Sequence, residues 1–182
     1  MSIAVIYGGT RPDGNTEMLT EHAIRGQDVD VERIYLKDFS ILPIEDARHD
    51  EAGFQDREDD YNSVMDRVLA HDTLIFATPV YWYSMSGTMK NFIDRWSHSM
   101  RDARYPDFKA RMAAKKAYVV AVGGDNPYVK ALPMIQQFKH IFDFMGMEFA
   151  GYVLGEGNKP GDILRDKNAL HAAEQLQLKL KD

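Results

Sequence analysis

The chain contains no cysteine in its 182 residues. That excludes a disulfide framework, a thiolate zinc site, a cysteine-ligated iron–sulfur cluster and a cysteine nucleophile. Basic residues are also scarce: 22 Lys and Arg face 28 Asp and Glu, giving a formal net charge of −6. Without a basic face there is no electrostatic footprint for a nucleic acid. No apolar run is long enough to span a bilayer, and no charged segment precedes an apolar run at the N-terminus. These absences predict no leader, no membrane partner and a cytoplasmic location. The six histidines (His22, His49, His71, His98, His140, His171) form no H-x-x-x-H or H-E-x-x-H unit, so no metal site is expected.

What is present is ordinary in amount, with 45% hydrophobic and 27% charged residues, and regular in pattern. The length suits one domain over 1–182. Apolar runs at Ile3–Tyr7, Val29–Tyr35, Thr73–Ala77, Ala117–Val122 and Glu148–Leu154 read as strands. The third and fourth are apolar at nearly every position, as in strands covered on both faces. Helical periodicity falls between them, over Thr16–Arg25, Asp60–Ala70, Gly87–Met100, Val129–Met145 and Asp162–Lys179. Such alternation predicts an α/β fold, a parallel sheet with helices on both faces. Five strands of this size suit a flavodoxin-like three-layer sandwich in order 2-1-3-4-5, with the ligand at the switch point between strands 1 and 3. Leu36–Asp59 and Ser99–Lys116 read as long loops, and the acidic run Asp56–Asp60 as a solvated helix start.

In such a sheet ligands bind beyond the carboxyl ends of the strands. Strand 1 ends in Gly8-Gly9-Thr10-Arg11-Pro12-Asp13-Gly14-Asn15-Thr16. From Gly9 to Thr16 this has the spacing of a nucleotide-binding P-loop, except that Asn15 stands where the lysine belongs. A triphosphate needs that lysine. Without it the loop still offers backbone N–H groups, hydroxyls and a helix N-terminus, a set suited to one phosphate group. Capping of the helix by Asn15 or Thr16 is the plainer reading, yet a cap needs no Gly-bracketed loop of this length. Strand 3 ends in Thr78-Pro79-Val80-Tyr81-Trp82-Tyr83, and strand 4 in Gly123-Gly124-Asp125-Asn126. Alone, each would read as packing aromatics or a tight turn. Together the three ends describe a ligand with one phosphate and a large flat heterocycle, and FMN fits that description.

Two blocks carry a resemblance. Gly9–Thr16 is similar to G-S-x-R-x-x-G-N-T, and Pro79-Val80-Tyr81-Trp82-Tyr83-Ser84-Met85-Ser86-Gly87-Thr88-Met89-Lys90-Asn91-Phe92-Ile93-Asp94-Arg95 to P-x-Y-x-x-x-x-[SP]-x-x-x-K-x-F-I-D-R. Both resemble the NADPH-dependent FMN reductase and NAD(P)H:quinone oxidoreductase family of the flavodoxin-like superfamily. By that resemblance Thr10, Arg11, Gly14, Asn15 and Thr16 would hold the FMN phosphate. Pro79, Val80, Tyr81 and Trp82 would line the ring and ribityl chain, and Gly123, Gly124 and Asp125 would close the ring's other side. The Lys90–Arg95 block would anchor its helix. The iron–sulfur flavoprotein branch is also similar, but its cysteines have no counterpart in Leu42–Asp50.

The resemblance implies hydride transfer from NADPH or NADH through FMN to a small-molecule acceptor such as a flavin or quinone. No side chain stands out as a required acid or base. The alternative is a flavodoxin-like electron carrier with no nicotinamide reductase activity; a flavin-free scaffold is a third reading. The aromatic run Tyr81–Tyr83 would also suit a homodimer, with pairing into a homotetramer left open. The Arg101–Arg111 stretch would serve either a nicotinamide 2′-phosphate or a solvated loop. Met85 and Met89 read as helix core ahead of an acceptor pocket.

Overall fold

A computed structural model of the chain describes residues 2–181. Five strands, β1 (Ile3–Tyr7), β2 (Val31–Tyr35), β3 (Thr73–Pro79), β4 (Lys116–Gly123) and β5 (Glu148–Glu156), form one sheet in the order β2-β1-β3-β4-β5. All four pairings are parallel, with Ile3 opposite both Val31 and Thr73. The expected class and strand order are therefore those observed. β1 lies inside the sheet, and its five residues are all buried. Alternate side chains go to opposite faces, so Ile3, Val5 and Tyr7 join one apolar layer while Ala4 and Ile6 join the other.

The helices cover those two layers. On one face α1 (Asn15–Ile24) packs with α8 (Lys167–Lys179). On the other lie α2 (Tyr61–Leu69), α3 (Gly87–Asp94), α4 (Trp96–Ser99), α5 (Phe108–Ala113) and α7 (Leu132–Met145), with the short α6 (Pro127–Lys130) before α7. Phe76, Phe92, Phe138 and Phe142 are fully buried there, each contributing roughly 1.5–3 kcal/mol relative to exposure. α7 stops at Gly146, whose φ of 75° is the left-handed conformation of a helix C-cap.

Three expected helices are interrupted. Gly87–Met100 divides at Arg95, and Val129–Met145 divides at Ala131, because Pro133 has no N–H for a bond to Val129. The stretch before α8 is a 3-10 turn, Asp162–Arg165, and the Asp166 carboxylate accepts from the Ala169 N–H at 3.1 Å. α5 is an additional helix, lying within the segment that reads as loop.

The largest departure concerns the acidic run. Asp59 is not solvated: its side chain is fully buried and paired with the equally buried Arg95 guanidinium. Asp59 also accepts from the Leu42 N–H at 3.0 Å and the Tyr61 N–H at 3.1 Å, while Arg95 donates to the Leu42 carbonyl at 3.0 Å. Arg104 bonds Asp56 and Asp102 from the second long segment. The acidic and basic stretches thus pair with one another here, which takes Arg104 out of the set available to a nicotinamide phosphate. Among the described residues no helix is long and apolar enough to cross a membrane.

Candidate functional site

The crossover from β2 to β3 passes over β1, so the loops after β1 and β3 diverge and leave a crevice at their carboxyl ends. The stems of these loops are stapled together. The Gly8 N–H donates to the Ala77 carbonyl at 2.8 Å, and the Ser86 hydroxyl donates to the Gly8 carbonyl at 2.7 Å. The Val80 N–H reaches the Val122 carbonyl at 2.9 Å, and the Gly157 N–H the Gly123 carbonyl at 2.9 Å. Gly8 is required here, since a Cβ would come within 2.7 Å of the Ser86 Oγ and 2.9 Å of the Met89 Cβ.

A cavity of about 270 Å³ lies above these stems. Of the twelve residues expected to bind the cofactor, ten line it: Thr10, Arg11, Gly14, Asn15, Thr16, Pro79, Val80, Tyr81, Gly123 and Gly124. Trp82 and Asp125 do not. They line a second cavity of about 170 Å³ that shares Val80, Gly123 and Gly124 with the first.

At one end of the larger cavity stands the N-terminus of α1. Gly14 is its N-cap and brings no capping side chain. The N–H groups of Asn15, Thr16 and Glu17 find no acceptor among the described residues, and neither does the Thr16 hydroxyl. Both Asn15 and Thr16 are buried. A buried, uncapped helix start with N–H and O–H donors has the chemistry to hold an anion. Asn15 also acts as a brace, because its amide donates to the Lys159 carbonyl at 2.9 Å and its carbonyl accepts from the Ile163 N–H at 3.4 Å. It therefore ties the cradle to the segment after β5. A Cβ on Gly157 would approach the Asn15 Nδ2 to 2.8 Å, so glycine is needed beneath this tie.

Sequence reasoning missed Tyr7, Glu17, Tyr35, Gly157 and Asn158, which also line the cavity. Gly157 and Asn158 follow the end of β5, where the strand-end rule applied to β1, β3 and β4 would have found them. Tyr7 and Tyr35 are the last residues of β1 and β2, and their rings stack at 4.6 Å with 10° between planes. Tyr7 donates to Glu21 at 2.6 Å and Tyr35 to Glu17 at 2.8 Å. Burial and the Glu21 carboxylate push the Tyr7 phenol far above its ordinary range; burial and Glu17 push Tyr35 up to about 12. Both shifts favour the neutral phenol. Stacked and hydrogen-bonded, the two rings form a fixed wall of the cavity.

At the other end, the Gly124 and Asp125 N–H groups have no acceptor among the described residues. Gly124 lets Asn158 close in, with a Cβ there only 3.2 Å from the Asn158 Cβ. Met85 and Met89 are core, as expected of helix packing. The donor set, the apolar Val80 and Val122 between its ends, and the glycine-lined mouth fit a flat ring carrying one phosphate. FMN is such a molecule.

Comparison with known proteins agrees. The family described as NADPH-dependent FMN reductase matches residues 1–158. The chain is 62% identical over 176 residues to the putative NAD(P)H-dependent FMN-containing oxidoreductase YwqN of Bacillus subtilis, covering 97% of this chain and 96% of that one. A solved structure of the Trp repressor binding protein from Bacillus subtilis superposes with a TM-score of 0.80 at 56% identity, over 96% of each chain. A more distant similarity, 30% over 120 residues, covering 64% of this chain and 56% of the relative, is to FMN-dependent NADH:quinone oxidoreductase 1 of Hahella chejuensis.

Proposed function

This chain belongs to the NADPH-dependent FMN reductase family, and on that premise we propose that its strand-end cavity holds FMN by the phosphate while a nicotinamide and a small quinone-like acceptor use the ring in turn. It is an FMN-dependent NAD(P)H oxidoreductase. The observation that carries the assignment of the site is the buried, uncapped start of α1 opening into the cavity that the β3 and β4 loops line.

When bound, FMN supplies the hydride-accepting and electron-passing chemistry. The chain supplies binding, orientation and electrostatics. The Asn15, Thr16 and Glu17 N–H groups and the Thr16 hydroxyl would take the phosphate, with Thr10 and Arg11 at its exposed side. Val80, Val122 and Pro79 would exclude water along the middle of the ligand. The Gly124 N–H, which lines the cavity and has no acceptor among the described residues, would be free to meet negative charge on the ring. A quinone acceptor is supported by the name of the Hahella relative.

Anaerobic stopped-flow mixing tests this reading. The FMN-loaded protein mixed with NADPH or NADH should lose its visible flavin absorbance within single-turnover time, and menadione should restore it. A flavin that stays oxidised with both nicotinamides would mark an electron carrier and overturn the enzyme reading for this site.

A further inference from the structure

The loop after β5 reaches the cofactor cavity from a side that the β1, β3 and β4 loops leave open, and its backbone is tied down in three directions. The Gly157 N–H donates to the Gly123 carbonyl at 2.9 Å, which joins it to the β4 loop. The Asn15 amide donates to the Lys159 carbonyl at 2.9 Å, which joins it to the start of α1. Within the loop, one oxygen of Asp162 accepts from the Asn158 N–H at 3.3 Å and the Lys159 N–H at 2.7 Å. A loop this constrained holds its side chains in set places.

One of those side chains has been given nothing to bond. Two carboxamides line the cavity, those of Asn15 and Asn158. Asn15 spends both of its ends on this loop, through Lys159 and Ile163. The Asn158 carboxamide has no hydrogen-bond partner among the described residues. It does not swing freely, because it lies along the bare face of Gly124. A Cβ on that glycine would stand 3.2 Å from the Asn158 Cβ, 3.3 Å from its Cγ and 3.4 Å from its Oδ1. Glycine at 124 therefore makes room for the carboxamide at the end of the cavity away from the phosphate donors.

The chemistry of this group differs from that of the cradle. The start of α1 presents donors alone, whereas a carboxamide donates from one end and accepts at the other, in one plane. A ring seated against Gly124 would cover Asn158, and a covered amide left without partners is costly. The ligand must therefore supply an acceptor and a donor side by side. The pyrimidine end of a flavin does so, with its imide N–H set between two carbonyls.

We propose that Asn158 is a flavin-binding residue that grips this imide edge, its amide donating to a ring carbonyl and its own carbonyl accepting from the ring N–H. The proposal rests on FMN occupying the cavity.

The test is an equilibrium fluorescence titration of native protein and Asn158→Ala with FMN and with N3-methyl-FMN, which lacks only the imide hydrogen. The native chain should bind FMN about tenfold more tightly than the methylated flavin, as expected for loss of the paired bonds at that edge. In Asn158→Ala, FMN should weaken about tenfold and N3-methyl-FMN by less than about twofold, so the preference between them collapses. Asn158 is exposed and bonds only through its backbone, so the unloaded variant should melt with the native chain. A carboxamide that merely shapes the loop would weaken both flavins equally. That result, a native chain that does not distinguish the two flavins, or a preference retained in Asn158→Ala each overturns the proposal. A native chain that takes up neither flavin would instead overturn the cofactor reading.

Discussion

Replacing Asn15 by Leu and Thr16 by Val together is expected to weaken FMN binding by roughly two orders of magnitude, since the Thr16 hydroxyl's bond to a charged group contributes about 1.5–3 kcal/mol and loss of the Asn15 tie to Lys159 and Ile163 loosens the cradle as well. Thr16→Val is nearly isosteric and removes only a hydroxyl that has no partner among the described residues. On its own it should weaken FMN about tenfold while leaving unfolding little changed. Asn15→Leu acts differently. Asn15 bonds the Lys159 carbonyl and the Ile163 N–H, so its loss also releases the segment after β5 from the cradle. Equilibrium titration of flavin fluorescence, run beside urea unfolding of each protein, separates lost contacts from a loosened loop. Unchanged FMN affinity in the double variant would remove the phosphate from this loop.

The second large effect lies away from the cavity. Arg95→Met is expected to cost about 3–5 kcal/mol, because it leaves the buried Asp59 carboxylate without its cation. Domains of this kind are stable by about 5–15 kcal/mol in total, so urea denaturation should register the change plainly. The guanidinium also covers the Tyr61 ring at 4.5 Å and bonds the Leu42 carbonyl, so it joins three segments. Adding Asp59→Asn to Arg95→Met should recover part of the loss by removing the stranded charge. If the double variant is as unstable as the sum of the singles, the pair is not what holds this junction.

Acid should reveal the same pair. Burial of Asp59 works against its ionisation, but bonds from Arg95, Leu42 and Tyr61 outweigh it and hold the carboxyl below its ordinary value. The resulting stability is complete above the unfolded pKa of about 3.9 and is lost as pH falls through the lower folded value. In Arg95→Met the burial remains and the cation is gone, so the Asp59 pKa should rise above ordinary. The variant's deficit should then shrink on acidification below that raised value.

How much of this is legible in the sequence depends on distance along the chain. The strands can be read because central parallel strands are buried on both faces, which makes Leu74–Ala77 and Tyr118–Val122 continuously apolar. Alternation gives the class alone; the strand order, and with it the neighbourhood of the β1, β3 and β4 loops, rests on the resemblance carried by the Gly9–Thr16 and Pro79–Arg95 blocks. The interruption at Ala131 is written in Pro133 but outweighed by the periodicity around it. α5 is obscured because six residues with Phe108 and Met112 inward look, in sequence, like a basic loop. The Arg95–Asp59 pair is invisible, since its partners are far apart and Asp59 sits among acids that are mostly exposed. Trp82 groups with the cofactor in sequence because its neighbours belong there. Only the left-handed backbone of Trp82 and Tyr83 shows that successive residues of the run face different cavities.

The central claim is that an uncapped helix start, with asparagine in place of a P-loop lysine, is a monophosphate cradle for a flavin. The most direct test compares the affinities of the native chain for FMN and for riboflavin, which differ only by that phosphate. The account predicts that FMN binds with one molecule per chain and at least about a hundredfold more tightly than riboflavin, the contribution of two or more charge-assisted hydrogen bonds. Equal affinities for the two flavins would contradict it.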